Sequence, residues 1–340
     1  MPQPAGVIEY RQSVRGVTEA VPGTRWQERF AALWPGYRRW YLQPDGTLRP
    51  TRAVAERMLE RFMPELAPTY HRLVSLAGDD DTAAAFLTLW DPPRFLPGCS
   101  QLALPTSPAG PVLCRNYDYA PALLEGVLHS SRLTGRRVLG MADCLWGLVD
   151  GMNDAGLAVS LTFGGRRGAG EGFGIPLVLR YLLEVATSTG HACELLARLP
   201  ISMSYNLTIV DAAGVVATVY VSPGVAPEYS SAQVSTNHRG AVPEDAEHAQ
   251  STRSVERYAA LLRLAEQPPA HDELVAAFLR DPLHSTRFSR AFGTLYTAAY
   301  RPLAGTVDLV WPGRLWRRGF DDPDATTTVV LREPDRQMSR

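Results

Sequence analysis

Three shortages in this sequence exclude whole classes of protein. The 340-residue chain has no run of about eighteen apolar residues, so the sequence predicts no membrane-spanning helix. Its formal net charge is −1, which gives no basic field to attract nucleic acid or an anionic membrane surface. No apolar run follows Met1, and we therefore expect no secretory signal and a cytoplasmic location.

The cysteines and glycines also lack the spacing of metal and phosphate sites. None of the four cysteines belongs to a C-x-x-C pair and no histidine lies at zinc spacing, so we expect no bound metal. The glycine-rich segment 164–174 lacks the Gly-Lys-Ser/Thr ending of a phosphate-binding loop. We interpret this segment as a mobile loop near the functional site.

The chain changes character near residue 99. The first hundred residues predict helices, as in 51–62, where Val54, Met58 and Phe62 repeat at helical spacing. Later segments predict strands at 101–104, 112–119, 145–152, 157–163, 205–210, 215–221, 293–300, 306–311 and 326–331. Helices are predicted at 175–186, 191–199, 251–265 and 271–279.

The turn 153–156 has the composition of a hairpin, and Gly156 is free to adopt a positive φ there. Antiparallel hairpins alternate with pairs of helices along the chain. This order favours an α+β fold, with stacked antiparallel sheets covered by helices, over a parallel α/β fold.

The Gly98–Cys99 pair is the first candidate functional feature. If the bond between these residues were cut, Cys99 would become an N-terminal residue. It would then carry a thiol nucleophile and an α-amine base within one amino acid. Residues 1–98 would form a helical pro-segment, or α chain, and residues 99–340 would form the catalytic domain, or β chain.

Four motifs in fixed order resemble the N-terminal-nucleophile hydrolases. They are Gly98-Cys99, the segment 115–118 (Arg-Asn-Tyr-Asp), the segment 151–159 (Gly-Met-Asn-Asp-Ala-Gly-Leu-Ala-Val) and the segment 236–238 (Thr-Asn-His). The order and spacing are most similar to the acyl-CoA:isopenicillin N (6-aminopenicillanic acid) acyltransferase family. Choloylglycine hydrolases and penicillin V acylases resemble the chain more distantly.

This resemblance implies a fold, a maturation step and a chemistry. The fold would be a four-layer αββα sandwich of two antiparallel sheets, preceded by the helical pro-segment. The chain would cleave itself between Gly98 and Cys99, and the pro-segment would remain as the partner in an α/β heterodimer. Cys99 would then form a thioester with the acyl group of a small amide or acyl substrate. No cofactor is implied, although acyl-CoA is a candidate acyl donor.

The resemblance also assigns roles to individual residues. Asp118 matches the carboxylate that orients the α-amine, and Arg115 matches an arginine near the nucleophile, where it would lower the thiol pKa. Asn237 matches the asparagine whose amide donates to the oxyanion. In a regular strand Arg115 and Asp118 face opposite ways, so both reach Cys99 only if the strand ends or bulges between them.

Four further residues are predicted to serve the oxyanion or the substrate. Thr162 stands where the relatives carry asparagine, and it can replace that residue only if the backbone N–H is what matters. Asn116 lies inside the motif around Arg115. Arg290 and Arg253 align with arginines of the acyltransferase and of the bile-salt enzymes, respectively, and either could hold a substrate carboxylate.

The residues leave the reaction open. They do not decide between hydrolysis and acyl transfer. A papain-like enzyme that pairs Cys99 with His238 or another histidine is an alternative that predicts no chain cleavage, although we expect His238 to be structural. A non-catalytic binding protein of the same fold is a second alternative.

Overall fold

The computed structural model describes residues 6–42, 49–94, 98–108 and 110–334. Its strands are β1 (Val7–Thr18), β2 (Gly98–Leu104), β3 (Val112–Tyr119), β4 (Val127–Ser131), β5 (Val138–Asp143), β6 (Gly147–Asn153), β7 (Ala158–Phe163), β8 (Tyr205–Val210), β9 (Val216–Ser222), β10 (Val225–Ser230), β11 (Val234–Ser235), β12 (Thr286–Arg287), β13 (Phe292–Arg301), β14 (Thr306–Trp311), β15 (Arg314–Gly319) and β16 (Ala325–Pro334).

The helices are α1 (Thr24–Tyr41), α2 (Arg52–Phe62), α3 (Ala67–Leu76), α4 (Asp81–Leu87), α5 (Ile175–Val185), α6 (Thr189–Leu196), α7 (Ala246–Ser251), α8 (Ser254–Glu266) and α9 (His271–Phe278). Short 3-10 helices span Pro64–Leu66, Pro121–Leu123 and Phe288–Arg290. Helices α1 and α4 contact the turn after β5, where the indole of Trp26 donates to the carbonyl of Leu145 and the indole of Trp146 donates to that of Leu87.

Within the described residues the strands form two sheets. The larger has nine strands in the order β10-β9-β8-β7-β6-β5-β4-β1-β16, and the smaller runs β11-β2-β3-β13-β14-β15, with β12 paired to β13. Every neighbouring pair is antiparallel except β1 and β4, which run parallel. Antiparallel order follows from the short turns that join most of these strands.

The two sheets pack face to face and helices cover both outer faces. Strands β2 and β3 of the smaller sheet lie against β7 and β8 of the larger one. Helix α5 packs on β5, β6 and β7, whereas α8 packs on β2 and α9 on β3 and β13. The architecture is a four-layer αββα sandwich, which confirms the predicted fold class.

Several predicted elements agree with the structure in detail. Strands β3, β8 and β14 have the predicted bounds. Gly156 adopts a φ of 83°, and the side-chain oxygen of Asn153 accepts from the backbone N–H of Ala155 and of Leu157. The asparagine thus closes the turn that the glycine makes possible.

The prediction that the first hundred residues are helical is wrong for β1. This strand pairs along its length with β16 and at its end with β4, so it lies inside the nine-stranded sheet. Val14 of β1 is fully buried. Local pattern does not reveal this strand because its partners lie far along the chain, and pairing decides the state of such a segment. The segment before Gly98 therefore shares a sheet with the segment after it.

No helix in the described part of the chain combines the length and the apolar character that crossing a bilayer requires.

Candidate active site

Strand register brings Asn237 to Cys99. Strand β11 pairs Val234 with Leu102 and Ser235 with Gln101, so the chain that continues from β11 runs back along β2. Two residues later, the side-chain oxygen Oδ1 of Asn237 accepts a hydrogen bond of 2.9 Å from the backbone N–H of Cys99. Residues 138 positions apart in sequence thus meet at the end of β2.

The Cys99 thiol lies between the two sheets and is fully buried. Its Sγ accepts a hydrogen bond of 2.8 Å from Nη2 of Arg115. Burial raises the pKa of the Cys99 thiol to about 11, and the neighbouring Arg115 opposes this shift. The guanidinium is the group that can stabilise the thiolate at this position.

A buried carboxylate fixes the Arg115 guanidinium. Nη1 of Arg115 donates to Oδ2 of Asp150 at 2.9 Å and to the carbonyl of Val149 at 2.6 Å. The phenols of Tyr296 and Tyr300 also donate to Asp150, the first at 2.6 Å. Burial by itself lowers the pKa of Arg115, but Cys99 and Asp150 raise it above its ordinary value, so the guanidinium stays charged.

Asn237 has one amide atom that the protein leaves unused. The Oδ1 atom accepts from Cys99, which fixes the orientation of the amide because a backbone N–H needs an acceptor. The Nδ2 atom is buried and has no hydrogen-bond partner among the described residues. Buried amide donors are rarely left unpaired, so this one is available for an oxygen atom that forms beside Cys99.

The carbonyl of Thr236 holds the Asn237 segment in place. It accepts a hydrogen bond of 2.8 Å from the hydroxyl of Thr162 and one of 2.9 Å from Nδ2 of Asn206. The glycine-rich loop also reaches this segment, since a Cβ on Gly165 would lie 3.0 Å from Cα of His238. The structure therefore brings Thr162 to the back of the Asn237 segment, where it supports the candidate oxyanion donor.

Asp118 lies on the opposite face of the β2–β3 pair from the thiol. The two strands are in regular register, with Gly98 opposite Asp118 and Cys99 opposite Tyr117, so no bulge lies between positions 115 and 118 of β3. The carboxylate accepts from the guanidinium of Arg257 and, at 2.6 Å, from the hydroxyl of Thr294. The Asp118 carboxylate thus lies on the Gly98 side of the Gly98–Cys99 bond, whereas the Asp118 backbone hydrogen-bonds the Cys99 thiol and opposes the rise of its pKa.

Three residues predicted to serve the oxyanion or the substrate are not brought to the thiol. Asn116 faces helix α9, where its Nδ2 donates to the carbonyl of Phe278 at 2.8 Å. Arg253 is held by Glu256 and Asp281, each at 2.5 Å. Arg290 is exposed in the short helix Phe288–Arg290. Asn116 faces away from the thiol because successive residues of a strand point to opposite faces. The sequence alone does not show in which direction Arg253 and Arg290 point.

The sequence matches the model of a known protein family. The model of the acyl-coenzyme A:6-aminopenicillanic acid acyl-transferases matches residues 106–316, well over half of the chain. The chain belongs to this acyltransferase family. As a member of this family it is an enzyme that acts on acyl groups. The matched range contains Arg115, Asp118 and Asn237 and begins after Cys99.

Solved structures resemble this acyltransferase-family chain at low sequence identity. A mutant of the conjugated bile acid hydrolase from Clostridium perfringens is 12% identical with a TM-score of 0.46, over 67% of this chain and 96% of that one. An N-acylethanolamine-hydrolyzing acid amidase orthologue from Caenorhabditis elegans is 15% identical with a TM-score of 0.46, over 60% and 93%. Penicillin V acylase from Agrobacterium tumefaciens is 14% identical with a TM-score of 0.43, over 64% and 84%. No curated protein sequence matches the chain.

His238 of the acyltransferase-family chain is held away from a papain-like role. Its Nδ1 lies 2.6 Å from the hydroxyl of Ser254 and 3.2 Å from that of Thr236, while the Cys99 thiol is bound by Arg115. Burial lowers the pKa of His238 below its ordinary value. A neutral imidazole fixed by two hydroxyls joins the Asn237 segment to α8, as expected for a structural histidine.

A cavity of about 340 Å³ opens between helix α1 and residues 119–144 of the acyltransferase-family chain. At its floor the Tyr37 hydroxyl donates to Glu125 at 2.5 Å and to Asp143 at 3.0 Å. Burial, reinforced by Glu125, raises the pKa of Asp143 to about 7. The Tyr117 hydroxyl lies 3.4 Å from Asp143, and its ring belongs to the residue paired with Cys99. The walls are largely apolar: Leu33, Trp40, Tyr119, Leu123 and Leu124.

Among the residues that the structure describes, one group of side chains could hold a metal ion. The ligand atoms of Glu56, Glu60 and His71 lie close together on the surface of α2 and α3. Glu56 is also 3.6 Å from the guanidinium of Arg52, which competes for the same carboxylate. The group lies on helices α2 and α3 and takes no part in the arrangement around Cys99.

Sequence reasoning missed Asp150 and Arg257. A lone carboxylate in the apolar segment 145–152 was a usable signal, because a buried charge needs a partner. Arg257 carried no such signal, since it lies four residues after Arg253, the residue that precedes helix α8, and only the fold shows which of them points to Asp118.

Proposed function

We propose that the protein is an autoprocessed cysteine N-terminal-nucleophile enzyme that cleaves or transfers an acyl group at an amide or thioester bond through a thioester on Cys99. One observation carries this proposal: the Gly98–Cys99 bond lies where the Arg115 guanidinium meets the Cys99 sulfur and Asn237 offers an unpaired amide donor. A charged donor on the nucleophile and a neutral donor for an oxyanion are what acyl chemistry requires.

Maturation starts from the intact Gly98–Cys99 peptide. Sγ of Cys99 attacks the Gly98 carbonyl carbon, the C–N bond breaks, and the thiol proton passes to the departing nitrogen. The product is a thioester between Gly98 and the Cys99 sulfur, with a free α-amine on Cys99. Water then attacks the thioester carbonyl, which releases the Gly98 carboxylate and restores the thiol.

The mature enzyme repeats this chemistry on an external acyl group. The α-amine, with an ordinary pKa near ~7.7, is neutral in part at neutral pH and accepts the thiol proton. The thiolate attacks the acyl carbonyl while Nδ2 of Asn237 donates to the oxyanion. The leaving group takes the proton, and water or an amine then takes the acyl group from the sulfur. Asp118 orients the α-amine from the Gly98 side of strand β2.

The cleaved pro-segment stays with the catalytic chain as an α/β heterodimer. Strand β1 is hydrogen-bonded on one edge to β16 and on the other to β4, both of which follow Cys99 in sequence. Helix α1 supplies Leu33, Tyr37 and Trp40 to the cavity near Tyr117. Loss of the pro-segment would open the sheet and remove one wall of the cavity, so retention is the stable outcome.

The substrate is a small amide or acyl compound whose apolar part fits this cavity. The side chains that line the cavity are mainly aliphatic and aromatic. Such a lining binds an acyl chain or ring by burying its apolar surface rather than by pairing with a charge. Acyl-CoA is a candidate acyl donor, and the acceptor is water or an amine.

Mass spectrometry of the denatured protein tests this proposal directly. We expect two fragments, one ending at Gly98 and one starting at Cys99, that elute together from a gel-filtration column under native conditions. The mature protein should also form a stable adduct with thiol-directed acylating probes at Cys99. A single intact chain that leaves Cys99 unlabelled would contradict the proposal.

A further inference from the structure

Gly98 is in tight contact with one aromatic ring. A Cβ added to Gly98 would lie 1.7 Å from Cε2 of Phe292, 2.6 Å from Cδ2 and 2.9 Å from Cζ, all atoms of the same ring. Gly98 is buried in the regular part of β2, and its φ is not in the left-handed region that favours glycine. The glycine is therefore explained by space: no larger side chain fits between this position and the ring.

The ring of Phe292 is also held by Arg257. The guanidinium carbon of Arg257 lies 5.0 Å from the ring centroid, a distance typical of a cation–π contact. Arg257 is itself fixed by Asp118 and by the carbonyl of Pro282 at 3.0 Å. The carbonyl of Phe292 accepts a hydrogen bond of 2.6 Å from the hydroxyl of Ser285. A substitution at Gly98 would have to displace a clamped ring.

Strand alternation puts this ring and the thiol on opposite sides of the Gly98–Cys99 peptide. Gly98, Asp118 and Thr294 are register partners across β2, β3 and β13. Phe292 lies two residues before Thr294 in β13, so it shares the helix-facing side with them. Cys99, the next residue after Gly98, directs its thiol to the other side, toward Arg115.

We propose that Phe292 is a positioning residue for autocleavage, and that it is the reason why residue 98 must be glycine. The inference rests on the proposed function. The ring supports the peptide from behind, so that Gly98 cannot recoil when the sulfur approaches its carbonyl carbon from the opposite side. Attack on a carbonyl depends steeply on this separation, and a displacement of about 1 Å can cost roughly a hundredfold in rate.

A double-mutant cycle at positions 98 and 292 tests this role. The precursors are made by cell-free translation, and cleavage is followed over time by mass spectrometry under denaturing conditions. We expect Gly98→Ala to slow cleavage by about a hundredfold and Phe292→Ala to slow it by about tenfold. In the double variant, cleavage should return to the rate of Phe292→Ala alone, because alanine costs nothing once the ring is gone.

Phe288→Ala is the matched control. Phe288 is also buried, and it packs against Gly293 and Tyr10 rather than against Gly98. Gly98→Ala combined with Phe288→Ala should stay as slow as Gly98→Ala alone. Equal rescue by both phenylalanine deletions would show only a general loosening of the fold, and would overturn the proposal.

The remaining outcomes separate this inference from the proposed function. If the wild-type chain is never cleaved at Gly98, the proposed function fails. If the wild-type chain is cleaved and Gly98→Ala is cleaved at the same rate, only the role of Phe292 fails. If Gly98→Ala does not fold, the Phe292→Ala variant decides the question by itself. A folded Phe292→Ala protein that is cleaved at the wild-type rate would overturn the positioning role of Phe292.

Discussion

The residues of the sequence motifs on the two faces of the β2–β3 pair differ in how their buried polar groups are satisfied. On the helix-facing side, Asn116 and Asp118 are fully engaged with fixed partners: two backbone carbonyls and Thr297 for the first, Arg257 and Thr294 for the second. On the side that faces the other sheet, Arg115 and Asn237 keep a buried nitrogen each, Nε and Nδ2, without a partner among the described residues.

This difference indicates which side chains of the β2–β3 pair support the fold and which take part in the reaction. A buried donor without an acceptor strongly destabilises the folded state, so such donors are rare unless a reacting group uses them. The unpaired donors lie beside the Cys99 thiol, whereas the paired groups connect the sheet to α8 and α9. We therefore expect substitutions on the thiol side to change rates, and those on the helix side that make no contact with the scissile bond to change stability.

The largest contrast is between two buried cysteines. Cys99→Ala should leave a single uncleaved chain without activity, because the same thiol serves maturation and catalysis. Cys114, fully buried on β3 in the cluster that contacts α9, is the matched control. Cys114→Ala should be cleaved normally and lose only stability. Mass spectrometry and an acyl-release assay check both, and mature fragments from Cys99→Ala would remove Cys99 from the maturation step.

Asp118 tests whether the helix side also contributes to chemistry through the α-amine. Asp118→Asn should lower kcat by roughly 10²–10⁴-fold, the scale of misplaced acid–base chemistry. It should also lower the melting temperature, because Arg257 loses its carboxylate in a buried site. Thr294→Val keeps the carboxylate and should retain most of the activity. A kcat for Asp118→Asn within about twofold of wild type would assign Asp118 to stability alone.

Two asparagines on opposite faces give the most direct comparison. Asn237→Ala should lower kcat by roughly 10²–10³-fold with little change in KM, because the donor acts once charge develops on the oxygen. Asn237→Asp should be worse, since it sets a negative charge against the oxyanion. Asn116→Ala should do the reverse and lower the melting temperature with nearly normal kcat. A stable Asn237→Ala enzyme with unchanged kcat would exclude the oxyanion role.

Asp150 does not contact the thiol, and we expect it to affect the reaction by holding the Arg115 guanidinium in place. Asp150→Asn weakens the hold on Arg115, and the loss of one hydrogen bond between charged groups, about 1.5–3 kcal/mol, corresponds to a rate loss of roughly 10–100-fold. The pH dependence of Cys99 alkylation in the mature enzyme should shift to higher pH in this variant. A lower melting temperature with an unshifted alkylation profile would mean that Asp150 only supports the fold.

The last test concerns the pH dependence of maturation. In the uncleaved chain burial raises the pKa of Cys99 to about 11, so the thiol is protonated at neutral pH and the thiolate fraction rises with pH. We expect the cleavage rate to rise about tenfold per pH unit between about pH 7 and pH 10. Cys99→Ser, whose hydroxyl does not titrate there, should show a flatter profile. A flat wild-type profile would contradict attack by the thiolate.

Much of the fold and part of the site could be predicted from the sequence because they depend on local pattern. The hairpin at 153–156 and strands such as β8 and β14 follow from alternation and turn residues, and the order of elements indicated the layered sheets. The four motifs led to the acyltransferase family through residue types at fixed spacing. The Gly98–Cys99 pair and the candidates Arg115 and Asn237 followed from the same motifs.

The tertiary structure decided which of these residues meet. Only pairing with strands more than a hundred residues away makes β1 a strand of the main sheet. Only the regular register of β2 and β3 puts Arg115 on the sulfur and Asp118 behind the scissile bond. Arg257, Asp150 and Phe292 come from three distant segments, and each gains its role from a contact that packing creates. Local pattern specifies elements, whereas long-range register and burial determine which polar atoms are left free to react.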